Sequence, residues 1–122
     1  MNQQLFVEPI GNLIIARFRG QPTAQMFAEC QQRIIELIKD TGQRQVLYDG
    51  LEMDAPSVDL VLMQQEMEAQ LRPIRLRRAI VVPNTRIAYL ARLAFGEGDH
   101  RVFYNDLGAA LRWLEGDGSP GA

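Results

Sequence analysis

The chain has 122 residues with 13 Lys or Arg, 15 Asp or Glu and one His, a net charge of -2 that gives no bulk attraction to nucleic acid or anionic lipid. Its 47% hydrophobic content is ordinary for one globular domain able to bury a core without staples. A single cysteine, Cys30, excludes an internal disulfide, and neither a signal-like N-terminus nor an apolar run of roughly 20 residues is present, so a reducing cytoplasm is expected.

Leu5 to Ile10 and Leu13 to Arg19 are β-rich runs separated by Gly11-Asn12, a dipeptide suited to a tight hairpin turn. Pro9 cannot donate to a ladder, which places the first strand at a sheet edge. The second strand is apolar on both faces and belongs inside the sheet. Thr23 is the natural N-cap of a first helix that Gly42 stops, with Met26, Phe27, Cys30, Ile34, Leu37 and Ile38 as its apolar stripe. Gln43 to Asp49 reads as a third strand. Ser57 to Leu71 reads as a second helix, broken before Pro73. Arg78 to Val82 is a strand covered on both faces. Thr85 to Phe95 is a third helix, Arg101 to Tyr104 a fifth strand, and Asp106 caps a last helix ending near Leu114.

The order β-β-α-β-α-β-α-β-α predicts an α/β fold with one mixed sheet, antiparallel at the first pair and parallel afterwards. Residues 1–115 form the single domain, and the Gly- and Pro-rich segment 116–122 is expected to be a flexible tail.

In such a sheet the parallel strands end at one edge, where ligands usually bind. Asp49, Glu52, Asp54 and Asp106 fall there, either as helix caps or as an acidic rim offered to a partner. Arg72, Arg75, Arg77 and Arg78 fall at the opposite edge, either as a basic patch for phosphate or an acidic surface or as solvated charges. His100 is the only histidine, so no histidine-based metal cluster forms. Glu97-Gly98-Asp99-His100 lacks a ligand spacing and reads as a turn. Cys30 sits on an apolar stripe and packs as a small hydrophobe. No phosphate-binding glycine loop or nucleophile elbow occurs, so neither a catalytic set nor a cofactor is expected.

The hairpin with Gly11, the Gly20-Gln21-Pro22-Thr23 helix start and Val46-Leu47-Tyr48-Asp49 before a loop and helix resemble the STAS superfamily. That superfamily covers sulfate-transporter cytoplasmic domains and anti-sigma-factor antagonists. Arg78 to Val82, Arg101 to Asn105 and Ala109 to Leu114 look like its small bacterial branch, part of which is similar to lipid-binding domains. In the antagonists an Asp-Ser-Ser-Gly signature follows this strand, and its second serine is phosphorylated. Here Asp54 matches the first position, Ala55 and Pro56 replace the serines, and Ser57 replaces the glycine.

The resemblance implies a non-enzymatic interaction module that binds a protein partner, or a second copy, through the 49–59 loop and the second helix. Asp49, Asp54 and Ser57 would make polar contacts and Met53 an apolar anchor. Leu60, Val61, Leu62, Met63 and Met67 exceed what one helix stripe needs. An alternative is a carrier of an apolar small molecule or lipid, which requires an enclosed apolar cavity. A third is an enzyme holding a divalent ion with Asp49, Asp54 and Asp106. Asp54 and Ser57 both qualify as the second helix's cap.

Overall fold

The computed structural model describes residues 4–71, 73–96 and 99–116. Its elements in chain order are β1 (Gln4–Ile10), β2 (Leu13–Gly20), α1 (Ala24–Thr41), β3 (Gln45–Met53), α2 (Val58–Leu71), β4 (Arg77–Val82), α3 (Thr85–Phe95), β5 (His100–Tyr104) and α4 (Leu107–Gly116). The predicted order is the observed one. The expected tail from 117 onward lies outside the described residues, and Gly116 belongs to α4.

Local chemistry fixes the joints. Gly11 turns the β1–β2 hairpin at φ 62°, in the left-handed region that glycine enters without steric cost. Gly42 ends α1 in the same region, its N–H donating to the Ile38 carbonyl. Phe27, Cys30, Ile34 and Ile38 are the buried stripe of α1, spaced by three and four.

The sheet order is β1-β2-β3-β4-β5, the same as the order along the chain. Only β1–β2 is antiparallel, and the other three pairs are parallel. Three crossovers stepping the same way across the sheet put α1, α2 and α3 on one face. There they bury the larger core, including Ile14, Phe18, Val46, Tyr48, Ile80 and Val82 from the sheet. The other face is covered by α4 alone, through Ala110 and Leu114 against Leu47, Ala79 and Val81. Because α4 lies over β3, β4 and β5, the outer β1–β2 part of that face stays open, and Phe6 and Ile10 are 47% and 48% exposed.

One boundary differs from expectation. β3 continues to Met53, four residues beyond Asp49, where the sequence reading ends the strand. It leaves β4 after the Asp49↔Val81 pair but stays with β2 to Gly20↔Met53, with a register shift between Arg17 and Arg19. A Cβ on Gly50 would meet the Val81 carbonyl oxygen at 3.2 Å, so the smallest residue sits where the strand diverges. The Asp54 N–H donates to the Gly20 carbonyl at 2.9 Å and closes the extension.

Candidate functional site

The four helices start at the C-terminal edge of the parallel strands, and each spends a side chain on its own first turn. Thr23 Oγ1 accepts from the Met26 N–H at 3.1 Å, and Ser57 Oγ from Leu60 at 3.2 Å. Asn84 Oδ1 and Asp106 Oδ1 do the same for Ile87 and Ala109, both at 2.9 Å. Ser57 is therefore the cap of α2, and Asp54 is an exposed residue before it. Pro56, at the position of the signature's second serine, is buried.

The acids of this stretch do not form one surface. Asp49 is buried on the α4 face, where Oδ2 accepts from Arg17 Nε at 3.1 Å and Oδ1 from the Leu51 N–H at 3.1 Å. The expected grouping of Asp49 with Asp54 and Ser57 is corrected on this point: alternation along β3 turns Asp49 away from α2. Glu52 pairs with Arg19 on the exposed strand extension at 3.1 Å. Met53 is half-buried against the main core. With Asp49 held by Arg17 and Asp106 by its helix, the three carboxylates proposed for a divalent ion do not converge. Among the described residues no group of three or more His, Cys, Asp or Glu is placed to hold a metal.

Beneath this edge, Phe18, Tyr48, Met53, Pro56, Val61 and Phe95 help line an apolar cavity of about 50 Å3. Ligand sites measure roughly 300–1,000 Å3, so this space falls far short of a fatty-acyl chain. Cys30 is packed nearby in the same core, and burial pushes its thiol up to about 12.

The outer side of α2 mixes two large apolar residues with Asp59, Gln65, Glu66 and Gln70. Leu60, Val61 and Leu71 are buried, while Val58 and Leu62 are 65% and 52% exposed. On α3, Tyr89 is 61% and Leu93 38% exposed. Gln65 Nε2 donates to the Leu93 carbonyl at 2.8 Å, so the two helices touch along this side. Both run back from the same sheet edge, which places Leu62 and Tyr89 about one turn before Gln65 and Leu93. Tyr89 and Leu93 escaped the sequence reading because a helix's inner stripe draws attention away from its outer one.

At the opposite edge the arginine run separates. Arg72 lies outside the described residues, and Arg75 is exposed. Arg77 lies over the Trp113 ring at 3.7 Å and pairs with Asp99 at 3.3 Å. Arg78 is buried, so its placement in a solvent-facing patch is corrected: Nη1 is 2.6 Å from Glu68 Oε1, and the guanidinium lies 4.7 Å from the Phe95 ring centroid. Burial opposes this charge, but Tyr48 and Glu68 outweigh it and hold the pKa above the ordinary arginine value. Glu68 was legible in principle, because it falls seven and eight residues after buried Val61 and Leu60 on the inner face of α2. In the 97–100 turn, Glu97 and Gly98 lie outside the described residues, and His100 packs against Phe95 at 5.7 Å.

Neither a protein-family model nor a curated protein matches the chain. Among solved structures, an uncharacterized protein of the DUF3478 family from Shewanella loihica PV-4, described as having a SpoIIAA-like fold, matches with a TM-score of 0.63. The match covers 92% of this chain and 93% of that one at 18% sequence identity. The chain has a SpoIIAA-like fold. The STAS-type architecture expected from the sequence is thus the observed one. Within the described residues of this SpoIIAA-like domain, no helix is long and apolar enough to cross a membrane.

Proposed function

We propose that this SpoIIAA-like domain is a non-enzymatic regulatory module that binds a protein partner through α2, its 54–57 approach and the adjoining side of α3. The observation that carries the reading is the exposure of Val58, Leu62, Tyr89 and Leu93 on two helices that meet at Gln65 and Leu93. Apolar groups at the centre of a patch with polar groups around it are the anatomy of a protein interface. Asp54 and Ser57 supply the polar rim at one end, and Gln65 continues it at the other. The partner is a separate protein or a second copy of the chain, met in a reducing cytoplasm where the buried Cys30 stays a thiol.

A photo-reactive residue at Leu62, with a control at exposed Glu36 on α1, tests the reading in living cells. A defined adduct is expected from position 62 and not from 36, and Tyr89→Glu in the same chain should remove it. An adduct of twice the chain mass identifies self-association. Equal labelling from both positions, or none from position 62, would count against this surface.

A further inference from the structure

We propose that the depression at the N-terminal edge of the sheet binds a small organic anion, a phosphate or carboxylate on an apolar body. This site lies at the opposite sheet edge from the 54–57 approach, at the far ends of α2 and α3, and its argument does not depend on the proposed partner contact.

The cavity there measures about 560 Å3, in the range of small-molecule sites at roughly 300–1,000 Å3. Ile74, Leu76 and Phe95 give it an apolar wall, and Arg44, Arg75, Arg77 and Arg78 give it a cationic one. Two carboxylates also line it, but Glu68 is matched by Arg78 and Asp99 by Arg77. The side chains of Arg44 and Arg75 have no ion pair or hydrogen bond among the described residues. Among the described residues two positive charges are therefore left over at the mouth.

The Arg78 side chain, only 8% exposed and held by Glu68 and Tyr48, forms the floor. The guanidinium groups of Arg44 and Arg75 are suited to an oxyanion because their planar donors match phosphate and carboxylate geometry. The concave shape, with Leu71 and Leu76 in its lining, favours a small molecule over an acidic protein surface.

The test is titration of the full, isotope-labelled chain at low salt with phenyl phosphate, benzoate and inorganic phosphate, followed by amide shifts. Saturable shifts at Gln45 and Ile74 to Arg78 are expected with phenyl phosphate or benzoate, and weaker binding with inorganic phosphate. Which of the two aromatic anions binds tighter distinguishes a phosphate ligand from a carboxylate one. Arg44→Gln with Arg75→Gln, both exposed positions, should keep the fold and weaken binding about tenfold. No saturable shift, or undiminished affinity in the double variant, would overturn the site. Phenyl phosphate bound no better than inorganic phosphate would overturn the apolar wall's role. An acidic peptide that shifts these amides when the small anions do not would overturn the proposal in favour of a protein ligand.

Discussion

Ser57 and Asp54 compete in the sequence for the same helix end, and geometry separates them. The Ser57 hydroxyl reaches the Leu60 N–H, whereas Asp54 contributes its backbone to the strand extension and leaves its carboxylate in solvent. Ser57→Ala should therefore lower stability by about 1 kcal/mol, the usual cost of losing an N-cap. Asp54→Ala should change it by less than about 0.5 kcal/mol, as for other surface sites. Urea melts of the two variants check the contrast, and a larger loss for Asp54→Ala would show that the cap is misassigned. This choice was not legible beforehand, since both residue types cap well. Asp49 was misplaced for a related reason: the sequence ends the third strand at Asp49, whereas continued pairing with β2 carries the strand on to Met53 and leaves Asp49 on the α4 face.

Among the elements, α2 and β4 are tied by one charged contact inside an otherwise apolar interface. The helical and strand patterns were readable for both because apolar periodicity reports burial directly. The Glu68–Arg78 contact was not, because a run of arginines before a strand looks the same whether one of them turns inward or all face water. Breaking a buried pair from one side leaves a charge without its counter-ion, so Glu68→Leu alone or Arg78→Met alone should each cost about 3–5 kcal/mol. The double variant should return close to wild-type stability, because two apolar residues avoid the desolvation cost altogether. A double-mutant cycle by chemical denaturation measures this. Additive losses would mean that the two side chains act independently.

For the whole molecule, the buried thiol and phenol set a limit at alkaline pH. Burial raises Cys30 from 9.0 to about 12 and also raises Tyr48 above 10.0, so the folded state keeps both protons after the unfolded chain has begun to lose them. Their contribution is fully present below the unfolded values and is lost as pH rises through the folded ones. Stability should fall from about pH 9 upward, and Cys30→Ala should make that fall shallower. Melting curves taken across this window check it, and a slope unchanged by Cys30→Ala would remove the thiol from the account. The fold as a whole was the most legible level, because nine elements with clear periodicity and stops leave few ways to build a sheet. The surfaces were the least legible, since exposure depends on what packs opposite.

The sheet order has a consequence for how the chain is made. Since each strand lies beside its predecessor, none has to enter between two that are already paired. A nascent chain can lay down β1 and β2, then add one strand and one helix at a time as synthesis proceeds. β1 is one outer edge of this sheet, and the opposite edge passes from β2 to β3 to β4 and rests on β5 as each strand leaves the ribosome.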